Sequence, residues 1–214
     1  GIFGSGNKNY GSHSYIFGND NLNTITAIRS NTIGEDNVNN GDRSIIVGSG
    51  TINSGTFSAL FGYGNDSTIL AERSHVFGIE NISDAEDSIV IGSGNNNTAS
   101  DSMTVGYGNF NEDEADGSHV FGRKNTSDSF RATTVGSGNF VSGNYTSTVG
   151  YGNDVTTAGV RSHTIGMENT ANGSNSLVVC SGNINDGSDS AIFGYGNLIK
   201  ENTLNGSIFG KGIT

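Results

Sequence analysis

Pairs of apolar residues followed by glycine recur along the whole chain at a regular spacing. Ile2-Phe3-Gly4, Ile16-Phe17-Gly18 and Ile208-Phe209-Gly210 are examples. The repeat glycine, which we number position 0, stands at residues 4, 18, 34, 48, 62, 78, 92, 106, 122, 136, 150, 166, 194 and 210, and Cys180 stands where a further glycine is due. The spacings of 14, 14 and 16 residues rotate without a miss, so there are fifteen repeats and a superrepeat of 44 residues. Such a period indicates a solenoid.

Within each repeat, β-branched and aromatic residues come first, and Gly and Asn follow. This order predicts a strand and then a turn, and the density of Gly and Asn disfavours a helix. A 14-residue repeat has room for about two strands of four or five residues and two turns. We therefore predict an all-β, parallel β-solenoid of about fifteen rungs, with residues 1–214 as one repetitive domain. The chain opens without Met inside its own repeat, so we interpret it as a fragment of a longer chain.

Asparagine recurs three residues after the repeat glycine. Equivalent residues of neighbouring rungs stack about 4.8 Å apart, and stacked Asn side chains can hydrogen-bond along the column. We predict a structural ladder that consists of Asn7, Asn21, Asn37, Asn65, Asn81, Asn95, Asn109, Asn125, Asn139, Asn153, Asn169, Asn183 and Asn197.

The residue at position −1, directly before the glycine, is Phe, Ile or Val in every repeat. We predict that this column is the buried core, with members Phe17, Ile33, Val47, Phe61, Phe77, Ile91, Val105, Phe121, Val135, Val149, Ile165, Val179 and Phe193. Position −2 is also largely apolar, and adjacent strand residues point to opposite faces. A narrow rung encloses only one of the two columns. The second column, with Ile46, Leu60, Val76, Val90, Val120, Val178 and Ile192, must be covered by another chain or by the roll's other strand, and this predicts an assembly of copies.

Composition and charge narrow the function classes. Only 32% of residues are hydrophobic, and 34 are glycine, which argues against a conventional globular core. The net charge of −11 opposes binding to nucleic acid or to an anionic membrane surface. No apolar run approaches the ~20 residues of a membrane span, so we expect no direct membrane insertion of this segment. The single Cys180 excludes an internal disulfide.

The sequence offers few candidates for catalytic, metal-binding or modified residues. No catalytic triad, carboxylate pair or cofactor motif emerges, so we predict a non-enzymatic protein with no catalytic residues, no metal site and no cofactor. His75, His119 and His163 share one phase, but 44 residues separate each from the next, about 14 Å along a solenoid, and we interpret them as structural. Seven Asn-x-Ser/Thr sequences, at Asn65, Asn81, Asn96, Asn125, Asn144, Asn172 and Asn205, leave glycosylation open.

Several elements resemble a known family. Asp189-Ser190-Ala191-Ile192-Phe193-Gly194 and Asp87-Ser88-Ile89-Val90-Ile91-Gly92 are similar to the Asn-Ser-Val-Ala-Ile-Gly element of YadA-like head repeats in trimeric autotransporter adhesins. The resemblance implies a left-handed parallel β-roll and a side-by-side trimer on a cell surface. A head-to-tail filament is the second assembly expected, because end-to-end continuation would preserve the repeat.

Three functions are consistent with these features. The first is an extracellular or cell-surface β-roll that acts as an adhesin head or surface fibre, with a surface or matrix receptor as partner. The second is a self-assembling subunit of a sheath or matrix filament. The third is an ice-binding solenoid, for which Thr32, Thr104, Thr134, Thr148 and Thr164 share a phase that Ile and Val interrupt.

Overall fold

The computed structural model describes all residues, Gly1–Thr214, and contains strands and turns but no helix. The chain divides into two compact units, which we describe separately. Unit 1 comprises Gly1–Gly108 and unit 2 comprises Asn109–Thr214.

Unit 1 contains fifteen strands in which longer and shorter ones alternate along the chain. In chain order they are β1 (Ile2–Phe3), β2 (Lys8–Asn9), β3 (Tyr15–Asn19), β4 (Leu22–Asn23), β5 (Asn31–Glu35), β6 (Val38–Asn39), β7 (Ile45–Ser49), β8 (Ile52–Asn53), β9 (Ala59–Tyr63), β10 (Asp66–Ser67), β11 (His75–Ile79), β12 (Ile82–Ser83), β13 (Ile89–Ser93), β14 (Asn96–Asn97) and β15 (Met103–Tyr107).

Unit 2 repeats this alternation. Its strands are β16 (Phe110–Asn111), β17 (His119–Arg123), β18 (Thr126–Ser127), β19 (Thr133–Ser137), β20 (Phe140–Val141), β21 (Ser147–Tyr151), β22 (Asp154–Val155), β23 (His163–Met167), β24 (Thr170–Ala171), β25 (Leu177–Ser181), β26 (Ile184–Asn185), β27 (Ala191–Tyr195), β28 (Leu198–Ile199) and β29 (Ser207–Lys211).

In each unit the odd-numbered strands pair in parallel to form a broad sheet, and the even-numbered strands pair in parallel to form a narrow sheet. The register follows the sequence repeat, so Gly78 pairs with Gly62 on one side and Gly92 on the other. One broad strand and one narrow strand make one rung. The prediction of a parallel β-solenoid with about fifteen rungs is therefore confirmed by the fifteen broad strands, although the fourteen narrow strands have only two residues each.

The repeat glycine is required because neighbouring rungs come closest at this position. Gly34 has a φ of +131°, and a Cβ added to it would lie 1.7 Å from the carbonyl oxygen of Gly48 in the next rung. No side chain can occupy that space. The glycine pattern in the sequence is thus the consequence of tight backbone stacking.

The interior of each unit is lined by the column at position −2, which we call the inner column. Ile46, Leu60, Val76 and Val90 of unit 1 are fully buried, and the last three form one apolar cluster. The corresponding cluster of unit 2 joins Val178 to inner residues of the narrow sheet, Val141, Val155 and Ala171, and to Ala132.

The predicted core column at position −1 was wrong, because the structure turns it outward. Phe17 is 45% exposed and Ile165 is 47% exposed, whereas their neighbours Ile16 and Thr164 are 0% exposed. Exposed members of this outer column are Phe17, Ile33, Phe77, Ile91, Val149 and Ile165. Half-buried members are Val47, Phe61, Val105, Phe121, Val135, Val179 and Phe193.

Strand alternation explains the reversal. The buried Ser88 at position −4 has the same parity as Val90 at position −2, and both point inward. Position −1 lies two residues from positions −3 and +1, so its side chain shares their face of the strand. That face points outward and carries side chains such as His75 and Tyr63. The second apolar column of the sequence, which includes Ile46 and Ile192, is the one buried within the chain.

Candidate functional site

The outward side of each broad sheet is an extended apolar surface. We call it the outer face, and it consists of the side chains at positions −3, −1 and +1 of the repeat. Rows such as Ala59, Phe61, Tyr63 and His75, Phe77, Ile79 lie side by side in parallel register in unit 1. Because the strands pair in register, like positions form straight columns along the stacking direction.

Aromatic rings reinforce these columns in unit 1. The rings of Phe61 and Phe77 are stacked, with centroids 5.1 Å apart and planes 4° apart, and Phe3 stacks on Phe17 with centroids 4.7 Å apart. Tyr63 is 56% exposed beside them. The outer face of unit 1 therefore presents large rings and aliphatic side chains that remain open to solvent.

Unit 2 carries the same arrangement on its own outer face. Phe193 stacks on Phe209 with centroids 4.8 Å apart, and the Nζ atom of Lys211 lies 5.4 Å from the centroid of the Tyr195 ring. His119 lies beside Phe121 with ring centroids 6.5 Å apart. These contacts hold the exposed rings in a regular row.

Charged residues are rare on this surface. Among positions −3, −1 and +1, unit 1 has only Glu35, and unit 2 has only Arg123 and Lys211. The chain as a whole is strongly acidic, with 21 acidic against 10 basic residues. Since uncharged apolar surface is where chains associate without desolvating ions, the outer face is the candidate functional site.

The structure confirms the predicted Asn ladder and shows how it works. Where ladder residues occupy successive rungs, the side chain of one member accepts hydrogen bonds from the member in the next rung and donates to the backbone carbonyl at position 0 of that rung. In unit 1, Asn37 Nδ2 donates to Asn21 Oδ1 at 2.9 Å and to the Gly48 carbonyl at 2.7 Å. In unit 2, Asn139 Nδ2 makes the same bonds to Asn125 Oδ1 at 3.0 Å and to Gly150 at 2.9 Å. The ladder is thus a buried structural element rather than a binding site.

The ladder is interrupted once within unit 1. Thr51 still donates its backbone N–H to Asn37 Oδ1 at 3.0 Å, but it has no amide to continue the column. Asn65 resumes the column in the next rung and donates to the Gly78 carbonyl at 2.9 Å. A single substitution therefore interrupts the side-chain contacts without changing the backbone register.

The histidines and the threonines of the sequence analysis occupy different faces. His75, His119 and His163 all lie at position −3 of the outer face. No group of three or more His, Cys, Asp or Glu side chains is arranged to hold a metal ion. Thr32 and Thr148, at position −2, are fully buried, so the threonine array considered for ice binding does not reach the surface.

Accessibility also separates the seven glycosylation sequences. Asn65, Asn81 and Asn125 belong to the buried ladder, whereas Asn144 and Asn205 are exposed. Only exposed asparagines of a folded chain are open to a glycosyltransferase.

Ion pairs gather at one exposed corner of unit 1. Arg73 donates to Asp87 at 2.6 and 2.8 Å, to Glu72 at 2.8 Å, and also to Glu86. The hydrogen bond from Arg73 holds the pKa of Asp87 below its ordinary value. Asp66 in unit 1 and Asp154 in unit 2 lie at equivalent positions of the narrow sheet, and burial raises the pKa of each. These groups are dispersed and form no catalytic constellation.

Sequence reasoning missed the shape of the 16-residue rungs. Each carries two inserted residues, such as Ile25–Thr26 and Ile69–Leu70 in unit 1, and these insertions protrude from one edge of the solenoid. Ile25 is 78% exposed and Ile69 is 79% exposed. The irregular spacing was the available signal, but spacing alone does not say where the extra residues go.

No protein-family model matches the chain, and no curated protein is significantly similar to it. The chain forms no helix with the length and hydrophobicity that crossing a bilayer requires.

Proposed function

We propose that this protein is a non-enzymatic structural solenoid of an extracellular or cell-surface fibre, and that copies of it associate side by side through the outer face. The observation that carries the proposal is the row of exposed Phe, Ile and Val side chains on a nearly uncharged sheet. Isolated soluble chains rarely expose so much contiguous apolar surface.

The size of the face supports association. The seven complete broad strands of unit 1 present about 550 Å², at about 4.8 Å per rung and about 3.3 Å per residue. Two such faces in contact would bury about 1,100 Å², which passes the ~1,000 Å² expected of a specific interface.

The regular geometry favours a second copy of the same chain as the partner. Both faces have the same rung spacing, so like columns can interdigitate over their whole length, as sheets do in steric zippers. We propose a parallel side-by-side trimer as the first arrangement, which is also what the resemblance to YadA-like heads implies, and a head-to-tail filament as the second. The matching biological roles are an adhesin head with a surface or matrix receptor and a sheath or matrix fibre.

Sedimentation of the purified chain over micromolar concentrations tests this proposal. We expect a discrete trimer, whereas open-ended growth would favour the filament. Phe77→Asp should weaken association by at least about tenfold, because it places a carboxylate within the apolar row.

Ile69→Asp is the matched control, because it introduces the same charge at an exposed apolar residue of an insertion, away from the outer face. It should leave association unchanged. Circular dichroism verifies that both variants remain folded. A wild-type chain that stays monomeric throughout the concentration range would overturn the proposal.

A further inference from the structure

Each unit contains a groove on the edge of the solenoid that carries the insertions. In unit 1 the groove lies between the insertions Ile25–Thr26 and Ile69–Leu70 and has a volume of about 660 Å³. In unit 2 it adjoins Ala158 of one insertion and Glu201–Asn202 of the next and has a volume of about 680 Å³. Both form because two short rungs lie between two long ones, so the 14-14-16 rotation generates the grooves.

The two groove floors have the same construction. In unit 1 the Nδ2 atom of Asn40 donates to the Oγ atom of Ser54 in the next rung at 3.1 Å. At the equivalent position of unit 2, Asn172 Nδ2 donates to Asp186 Oδ1 at 2.5 Å. These hydrogen bonds fix the orientation of the floor side chains before any ligand arrives, which reduces the entropy lost on binding.

Backbone groups of the floors are engaged by the neighbouring rungs. The N–H groups of Asn40 and Ser54 donate to Asn53 and Ser67, and the carbonyls of Asp42 and Thr56 accept from Phe57 and Arg73. Unit 2 has the same pattern, since the N–H groups of Asn172 and Asp186 donate to Asn185 and Ile199. A peptide main chain would therefore find few backbone partners, and a ligand must be recognised by side chains.

The side chains available are hydroxyls, amides and carboxylates beside aliphatic walls. Asp42 contributes a half-buried carboxylate to the groove of unit 1, and its Oδ2 lies 3.9 Å from Arg43 Nη1. Ile25, Ile28 and Ile69 line the groove of unit 1, and Leu204 lines that of unit 2. Neither lining includes a Lys or Arg side chain, so both grooves disfavour an anion.

We propose that these grooves bind neutral oligosaccharides of about two to four units. Sugar hydroxyls match floors that combine acceptors and donors, and the C–H faces of the rings match the aliphatic walls. Volumes of this size lie within the ordinary range for ligand sites. The inference takes its setting from the proposed surface function, but the grooves and the outer face are separate surfaces of each unit.

The test uses the full chain and immobilised neutral oligosaccharides of two to four hexose or N-acetylhexosamine units, with sialylated and sulfated trisaccharides as charged comparisons. Ser54→Arg combined with Ser188→Arg fills both grooves and should weaken neutral-saccharide binding by at least about tenfold. Ile82→Arg combined with Phe110→Arg makes the same charge change at exposed residues of the narrow sheets, outside both grooves and outside the outer face, and should leave binding unchanged.

Amide NMR spectra of the wild-type chain locate the contact, and we expect saccharide-dependent shifts at the side chains of Asn40 and Asn172. Absence of neutral-saccharide binding up to about 10 mM, binding of the charged glycans alone, or undiminished binding by the filled variant would overturn the inference. Sedimentation of the same variants separates the two proposals, because filling the grooves should leave association through the outer face intact.

Discussion

At the scale of single residues, the stacked Asn side chains compensate the polar groups that a narrow solenoid buries. Asn139 illustrates this in unit 2. Its amide donates to Asn125 Oδ1, Val135 O and Gly150 O, and its Oδ1 accepts from the backbone and side chain of Asn153. Buried polar groups are tolerated in proteins when each finds a partner in this way.

Replacing Asn139 by Ala should therefore lower the free energy of unfolding by about 1–3 kcal/mol, because Asn153 and two carbonyls lose buried partners. Urea denaturation measures the effect. Asn31→Ala, at an exposed position of the outer face, is the control and should change stability by less than about 0.5 kcal/mol. Equal effects of the two substitutions would contradict the structural role of the ladder.

Cys180 is the one position where a side chain replaces the repeat glycine, and its φ is +87°. Cys180→Gly should stabilise unit 2 by about 1 kcal/mol, because glycine adopts this conformation without the strain that a Cβ causes. Thermal unfolding under reducing conditions measures the change. Cys180→Ser keeps the Cβ and should leave the midpoint of thermal unfolding unchanged. A similar increase in the midpoint for both variants would show that the thiol, and not the Cβ, destabilises the wild-type chain.

At the scale of the strand, buried threonines of the inner column have hydrogen-bond partners for their hydroxyls in some rungs and none in others. Thr32 in β5 has Asn partners, since its Oγ1 donates to Asn23 Oδ1 at 2.6 Å and accepts from Asn39 Nδ2 at 3.3 Å. Thr148 in β21 is also fully buried, but its hydroxyl has no partner. The inner positions seven residues before and after Thr148 are Val141 and Val155.

The same substitution should consequently have opposite effects at these two sites. Thr148→Val should raise the free energy of unfolding by about 1 kcal/mol, because it removes an unpaired buried hydroxyl. Thr32→Val should lower it by about 1–3 kcal/mol, because two buried Asn side chains lose a partner. Denaturant titrations measure the free energy of unfolding of both variants. A lower value for Thr148→Val than for the wild-type chain would show that water satisfies the Thr148 hydroxyl.

At the scale of the whole molecule, stability is distributed over contacts between successive rungs. The strand pairings join each rung to the next one along the chain, as in Thr134 with Thr148 and Val135 with Val149. Solenoids of this kind behave as one-dimensional arrays in which each repeat is stabilised by its neighbours. Correct folding therefore depends more on keeping the phase of the repeat than on the number of rungs.

Deleting one full rung of unit 2, residues 123–136, should preserve the fold, because Gly122 is then followed by Ser137 in the correct phase. Deleting residues 123–135 removes one residue fewer and displaces every later column by one position, which exchanges the inward and outward faces of the strand. We expect the first variant to keep its β spectrum and cooperative unfolding and the second to lose both. Circular dichroism with thermal unfolding makes the comparison, and equal tolerance of both deletions would contradict a phase-locked solenoid.

Much of the architecture was determined by the sequence alone. The spacing of the repeat glycines, the strand residues before them and the Asn column after them predicted a helix-free parallel solenoid and its ladder, and both are observed. These features are periodic, and stacking brings residues of equal phase together whatever the surrounding structure is. Local sequence was sufficient for that reason.

Which apolar column is buried was decided only by the tertiary structure. Val120 and Phe121 are both apolar and adjacent, so a strand with this pair is consistent with either orientation. The closed rung selects one, because the buried Ser118 and the close approach at Gly122 require even positions to face inward. Phe121 is therefore turned outward, and the outer face and the grooves between the insertions exist only once the rungs have stacked.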